Sequence, residues 1–182
     1  MANLVKEYAA ADASRKVDLI YKHFSVFLRA VDSRTAGLMY LIENEKISNK
    51  RAEEGELGVK VKKSSRSDPT ANKAINNVIT REALIACDFS GGILEGTDRE
   101  EEFRREAYIL KGMRQDYDLF TRQVECLDET NRKIFISYIN RSKSTVEIAD
   151  EIGIGLEAAR NRIYKIKVEV KEHMLEYMEG RL

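Results

Sequence analysis

The regular spacing of apolar residues in the second half of the chain constrains the fold more than any other feature. Between residues 103 and 127 the apolar positions recur at intervals of three or four: Phe103, Ala107, Leu110, Met113, Tyr117, Phe120, Val124 and Leu127. Such intervals place these side chains on one face of an α-helix, whereas a half-buried strand would need strict alternation. Thr97 and Glu100 precede the stripe at the spacing of a capping box. The pattern therefore predicts one long amphipathic helix that begins near residue 98.

The first half of the chain has the same helical periodicity, with one irregular stretch. Apolar residues follow helical intervals from Val17 to Val31 and again from Leu38 to Ile42. Between these segments, Asp32, Ser33 and Gly37 predict a break into two antiparallel helices. The stripe favours a helix that packs in its own core, and its spacing also suits a short coiled coil between two copies of the chain.

The small number of turn-forming residues favours helices over strands. One proline and ten glycines among 182 residues are too few for the turns of a many-stranded β fold. Asp68 and Pro69 mark a further helix start, because aspartate caps helices and proline is tolerated in their first turn. The alternation from Val59 to Lys62 is compatible with a small β-hairpin near residues 47–63. We therefore predict an all-α protein in which this segment is either a linker or a small β-hairpin.

A glycine-rich stretch divides the chain. Gly91, Gly92 and Gly96 separate the predicted N-terminal helices from the long helix that follows. We predict a helical N-terminal region over residues 1–95, which serves oligomerisation or partner binding. We predict a second domain over residues 97–182, made of the long helix and the segments after it.

The sequence offers little that is typical of an enzyme. His23 and His173 have no further ligand at metal-binding spacing, and no glycine-rich loop is suited to cradle a phosphate. Cys87 and Cys126 are isolated in apolar segments, which predicts buried free thiols in a reducing compartment. Residues 1–16 lack a signal-peptide core, and no apolar stretch reaches the length of a membrane span. We expect a cytoplasmic protein that is not an enzyme, uses no cofactor or metal, and binds no membrane.

The charge is balanced over the whole chain but uneven locally. The sequence has 31 basic and 31 acidic residues, so it does not coat nucleic acid by bulk charge. The segment from Arg160 to Lys171, however, contains five basic residues and a single acidic residue, Glu169. A local basic patch of this kind is able to neutralise phosphates.

The segment from residue 132 to residue 178 predicts three helices joined by two short turns. A short helix ends before Arg141, and Ser144 is placed to cap a second helix that ends near Ile152. Gly153 follows at a position that suits a positive φ angle. Ala149 is small where the next helix crosses closely, and Ile154 fills the turn. A final helix from about Leu156 to Met178 buries an inner stripe of apolar residues, namely Ala159, Ile163, Ile166 and Val170.

The stretch from Leu127 to Lys171 resembles region four of bacterial sigma factors and the related phage regulators. The residues at that family's spacings are Leu127, Arg132, Phe135, Ala149, Gly153, Ile154 and the run from Ala159 to Ile163. The layout of a helical N-terminal part followed by such a unit looks like phage late-gene regulators of the ArpU or RinA type. The resemblance implies a helix-turn-helix that binds double-stranded DNA. Acidic residues replace the family's usual proline after Leu127, and Gly155 replaces its usual serine.

The resemblance also implies which residues contact DNA. A helix that presents polar and basic groups from its N-terminal half is suited to the major groove. Residues near base edges would be Leu156, Glu157, Arg160, Asn161 and Tyr164. Contacts to the DNA backbone would come from Lys143, Ser144, Thr145, Gly155, Arg162, Lys165 and Lys167.

Several functions remain open at this point. We predict a sequence-specific transcription regulator that is phage- or prophage-encoded and acts as a homo-oligomer or together with RNA polymerase. A small terminase subunit, or another DNA-packaging protein, would also use a helix-turn-helix. A third alternative is a protein that binds RNA polymerase or a sigma factor.

Overall fold

In a computed structural model, the backbone is described for residues 2–54 and 69–180, and the side chains for residues 4–52 and 74–180. Those ranges contain helices and turns and no strand, which confirms the all-α prediction. The helices are α1 (Ala2–Ala9), α2 (Ala13–Glu54), α3 (Pro69–Ala86), α4 (Glu100–Glu125), α5 (Glu129–Ile139), α6 (Thr145–Ile152) and α7 (Leu156–Met178). None of the helices described there is long and apolar enough to cross a membrane.

Helix α2 runs unbroken through the stretch where a break was predicted, so that prediction is wrong. Val31, Leu38 and Ile42 are all buried and continue one stripe across the irregular stretch. The hydroxyl of buried Thr35 donates a hydrogen bond to the carbonyl of Val31 one turn earlier, at 2.9 Å. A glycine inside a helix costs about 1 kcal/mol, and burial of a single large apolar side chain outweighs that cost.

The predicted β-hairpin near residues 47–63 is not seen in its described part. Residues 47–54 belong to the end of α2, where the helical hydrogen-bond pattern continues. The alternating residues Val59 and Val61 lie outside the described residues. The short alternation that suggested a hairpin is thus preceded by helix and not by a strand.

The long helix α4 has the predicted stripe but a different start. Phe103, Ala107, Leu110, Met113, Phe120, Val124 and Leu127 are buried as expected. The predicted capping box is wrong, because the Thr97 hydroxyl donates to the carbonyl of Leu94 instead. The carboxylate of Glu45 from α2 accepts from the amides of Asp98 and Arg99, at 2.8 and 3.0 Å. The amide of Thr97, which the box would have paired with the Glu100 carboxylate, donates to the carbonyl of Leu94 at 3.1 Å, and a distant residue binds the next two amides.

The chain forms two compact units that are discontinuous in sequence. The first unit comprises Met1–Ala30 and Met113–Leu182, and the second comprises Val31–Gly112. Helices α2 and α4 each contribute residues to both units. The predicted division into residues 1–95 and 97–182 stays a prediction.

An aromatic cluster forms much of the core of the first unit. Phe24 and Tyr117 stack with ring centroids 5.1 Å apart, and Phe27 stacks on the same tyrosine at 5.7 Å. Phe120 of α4 meets Phe135 of α5 at 6.4 Å. Because these residues come from α2, α4 and α5, the cluster joins the first part of the chain to its last third.

The second unit combines a small core with an exposed apolar surface. Leu84, Phe89 and Leu94 are buried. Three apolar residues of α3 lie on the surface instead, with exposed fractions of 57% for Ile75, 56% for Val78 and 48% for Ile79. Burying such side chains against a partner would be favourable.

Candidate nucleic-acid interface

Helices α5, α6 and α7 of the first unit pack against one another in all three pairs. Residues 153–155 join α6 to α7, and we call them the α6–α7 turn. Gly153 has φ 68° and ψ 33°, as its predicted left-handed conformation requires. Its amide and that of Ile154 donate to the carbonyls of the last turn of α6. This glycine-based end fixes the direction in which α7 leaves α6.

The inner face of α7 is buried as predicted. Ala159, Ile163, Ile166 and Val170 are each at most 5% exposed, and Met174 extends the stripe. On α6, Ile148 and Ala149 are buried against this stripe, whereas Ile152 is half-buried. Since one face of α7 is held in the core, its opposite face is fixed in orientation and turned to solvent.

The outer face of α7 carries the side chains predicted to reach base edges. Glu157, Arg160, Asn161, Tyr164 and Lys165 are exposed, and the ring of Tyr164 is 67% accessible. Arg160 pairs with Glu157 one turn earlier. Leu156 is half-buried at the start of the helix. The structure therefore brings the predicted polar residues together on one accessible surface.

Two of the residues predicted to contact the DNA backbone interact with other side chains of the protein. The guanidinium of Arg162 donates from Nε to Oδ1 of Asn131 on α5, at 2.7 Å. The ammonium of Lys167 lies 4.4 Å from the ring centroid of Tyr21 and 3.8 Å from Asp18 on α2. Both side chains are half-buried, so they also tie α7 to α5 and α2.

The N-terminus of α6 is closed by the predicted serine cap. Residues 140–144 join α5 to α6, and we call them the α5–α6 turn. Ser144 Oγ accepts from the amide of Glu147 at 3.3 Å, and the Glu147 carboxylate accepts from the amide of Ser144 at 2.7 Å. The Ser144 hydroxyl also donates to this carboxylate, at 2.8 Å, and the donations from the amide and the hydroxyl of Ser144 hold the pKa of Glu147 below its ordinary value. Lys143 pairs with Glu151, and Thr145 is half-buried beside the cap.

A groove that no sequence pattern predicted lies beside this cap. A cavity of about 950 Å³ lies between the start of α2 and the α5–α6 turn. It is lined by basic side chains from both, and we call it the basic groove: Arg15, Lys22, Arg141, Lys143 and Lys167, with Asp18, Tyr21, Tyr138, Ser142, Ser144, Thr145 and Glu147. More than a hundred residues separate the two segments, so no local pattern reveals their contact.

His23 lies beside two cations of the groove. Partial burial lowers the pKa of His23, and the neighbouring charges of Lys22 and Arg141 lower it further, against an opposing effect of Glu7. Of the two acids that line the basic groove, Asp18 accepts from Lys171 at 2.8 Å and Glu147 is occupied in the serine cap. Neither of these acids forms an ion pair with Lys22 or Arg141 within the described residues.

The cysteines differ from the prediction. Cys126 is exposed and Cys87 is half-buried, so the predicted burial is wrong for Cys126. Val124 and Leu127 face the core, and a residue two positions after Val124 points away from it on a helix. Among the residues that the structure describes, no group of three His, Cys, Asp or Glu side chains is placed to hold a metal ion.

The likeness to sigma region four rests on residues within this unit. Of these residues, Leu127, Phe135 and Ala149 are buried and Gly153 has a positive φ. No family model, characterised protein or solved structure matches the chain. The family therefore remains a prediction, and only the residues of this chain bear on its function.

Proposed function

We propose that the protein binds double-stranded DNA in a sequence-specific manner through the N-terminal half of α7 and regulates transcription. The observation that carries the proposal is the exposed face with Arg160, Asn161, Tyr164 and Lys165, on a helix whose opposite face is buried. An α-helix fits the major groove of B-DNA, where each base pair presents a distinct pattern of donors and acceptors. A helix held rigidly along one side presents its free side in a fixed register.

The exposed side chains have the chemistry for base recognition. Arginine bonds guanine O6 and N7 in a bidentate manner, and asparagine does the same with adenine N6 and N7. Glutamate accepts from cytosine N4. The ion pair between Arg160 and Glu157 is exposed and contributes at most about 1 kcal/mol. Both side chains are therefore free to exchange this pair for contacts with bases.

Contacts to phosphates would position the recognition helix. Lys165 is exposed on α7, and Ser144 and Thr145 stand at the start of α6 with Lys143 before them. Arg162 and Lys167 are partly engaged with α5 and α2, so we expect them to orient α7 more than to bind phosphate. Such contacts set the register of the protein and carry no sequence information themselves.

A single unit of this size buries limited DNA surface, so useful affinity calls for a second copy or a polymerase partner. The second unit exposes Ile75, Val78 and Ile79 on α3. That apolar surface supports self-association or binding to RNA polymerase. It also makes a purely protein-binding role the second candidate, in which α7 would contact protein and no duplex would be preferred.

The test is a selection of duplexes from a random pool, followed by titration of the selected and the random duplex. We expect Arg160→Ala combined with Asn161→Ala to lower the ratio of the two affinities by roughly 10- to 100-fold, since each bidentate pair contributes about 1–3 kcal/mol of discrimination. Weak, salt-sensitive binding to random duplex should remain. Lys133→Gln is the matched control, because Lys133 is exposed on α5 and lines neither the basic groove nor the outer face of α7. An unchanged ratio in the double variant would show that α7 does not recognise bases.

A further inference from the structure

The basic groove adjoins the proposed recognition surface. A smaller cavity of about 300 Å³ is lined by Arg160 and Tyr164 of α7. This cavity shares four lining residues with the basic groove, namely Tyr21, Tyr138, Thr145 and Lys167. The two cavities are therefore neighbours, and a ligand as large as a duplex on the outer face of α7 is able to reach the groove as well.

Two cations of the basic groove have no acidic partner among the described residues. Arg15, Lys143 and Lys167 pair with Glu7, Glu151 and Asp18. Lys22 and Arg141 are exposed and, within the part of the chain that the structure describes, form no ion pair. The guanidinium of Arg141 reaches only the backbone carbonyl of Lys22, at 3.5 Å. These two charges are therefore available to an anion from outside.

Arg141 also has an unusual backbone conformation. Its φ is 57°, in the left-handed region that glycine usually occupies after a helix. Its amide donates to the carbonyl of Tyr138, and that of Ser142 to Ser137, as in a glycine-terminated helix. An arginine there gives up stability that glycine would provide. Residues held in such conformations cluster at functional sites.

We propose that the basic groove binds backbone phosphates of the same duplex whose bases α7 contacts, with Lys22 and Arg141 as its main cations. The inference rests on the proposed function and extends the DNA-binding surface from the last third of the chain to the start of α2. Arginine and lysine are the usual phosphate ligands, and arginine adds a bidentate geometry. The groove sets affinity and leaves sequence preference to α7.

The test measures salt dependence with a labelled random-sequence duplex of about 30 base pairs, between about 50 and 200 mM salt. Each lost phosphate contact reduces the slope of log affinity against log salt by about 0.9. Lys22→Gln combined with Arg141→Gln should therefore reduce the slope by about 1.8 and weaken binding several-fold to about tenfold. The ratio between selected and random duplex should stay as in the wild type. Lys133→Gln again serves as the control.

The outcomes separate the two proposals. If the wild type binds no duplex, the proposed function and the groove inference both fail. If the wild type binds duplex and the double variant matches Lys133→Gln, the groove inference alone fails. If the double variant loses binding only to a single strand of the same length, the groove accommodates single-stranded nucleic acid and the inference is overturned.

Variants of Arg141 distinguish phosphate binding from a purely structural role of this side chain. Arg141→Gly removes both the charge and the strained backbone, and we expect it to raise the Tm by about 2–4 °C while weakening binding. Arg141→Gln removes only the charge, so it should weaken binding equally without the gain in Tm. A fall in Tm with Arg141→Gly would show that the side chain supports the fold, and would overturn its assignment as a phosphate ligand.

Discussion

The two turns at the ends of α6 have the same two conformational requirements but meet them with different residues. Each turn needs one residue in the left-handed conformation and one residue that caps the next helix. The α5–α6 turn has Arg141 at the left-handed position and Ser144, a strong cap, before α6. The α6–α7 turn has Gly153 at the left-handed position, and Gly155 precedes α7 with no side-chain cap. Each turn thus has a favourable residue at one position and an unfavourable residue at the other.

The two unfavourable residues have different explanations. Arg141 gives up stability but lines the basic groove, where its charge faces solvent. Gly155 has φ −66° and ψ 151°, which any residue adopts, and a side chain at this position would meet open space. Nothing in the structure explains its glycine. We therefore expect that replacing Arg141 by glycine raises stability and weakens DNA binding. Replacing Gly155 should change stability without weakening DNA binding.

The largest expected effect concerns the left-handed glycine. Gly153→Ala should lower the free energy of unfolding by about 1–2 kcal/mol, because a Cβ is disfavoured at a positive φ. Denaturant unfolding checks this, with Gly155→Ala for comparison at an ordinary backbone conformation, where the exchange of a glycine cap for alanine should cost less, about 0.5 kcal/mol. If the two alanine variants lose equal stability, the left-handed conformation is not what distinguishes the two glycines, and the comparison between the turns breaks down.

The serine cap of the α5–α6 turn should rank next. Ser144→Ala removes the acceptor for the Glu147 amide and should cost about 1 kcal/mol of unfolding free energy. Ser144→Thr keeps a hydroxyl at the same place and should restore most of that loss. Thermal unfolding of the three proteins is the measurement. Equal loss in the alanine and threonine variants would mean that the hydroxyl does not support α6.

The local parts of this unit could be predicted from the sequence because neighbouring residues determine them. The caps of α6, the positive φ of Gly153 and the buried stripe of α7 follow from spacings of one to four residues. The same holds for the stripe of α4. Each of these features is decided within one or two helical turns of the residue concerned.

The features that the sequence did not reveal depend on distant partners. The carboxylate of Glu45 accepts from the amide of Asp98 before α4, and the two residues are more than fifty positions apart in the chain. Arg162 and Lys167 meet Asn131 and Tyr21, which no spacing within α7 indicates. The basic groove requires α2 to reach the α5–α6 turn. Propensity at Gly37 likewise indicated a break, and packing of the flanking apolar residues outweighed it.

Low pH should reduce the stability contributed by the α5–α6 turn and leave that of the α6–α7 turn unchanged. The pKa of Glu147 is lowered in the folded protein from an ordinary value of 4.5, so its stabilising effect is present above that value and is lost as the pH falls through the lowered pKa. The stability difference between the wild type and Glu147→Gln should therefore be fully present at pH 7 and diminish as the pH falls below 4.5 and through the lowered pKa. We expect it to be smaller than the loss in Ser144→Ala, since glutamine retains an acceptor. A difference that persists at low pH would assign it to packing instead of charge.

The smallest expected effect comes from giving α7 the cap that it lacks. Gly155→Ser places a hydroxyl where it can accept from the first amides of α7, in a backbone conformation that serine adopts without strain. We expect a gain of a few tenths of a kcal/mol in unfolding free energy and no loss of affinity for random duplex. Arg141→Gly, measured in parallel, should gain more stability and lose affinity. If Gly155→Ser also weakens binding, the duplex approaches the backbone at Gly155 closely, and both turns then exchange stability for DNA binding.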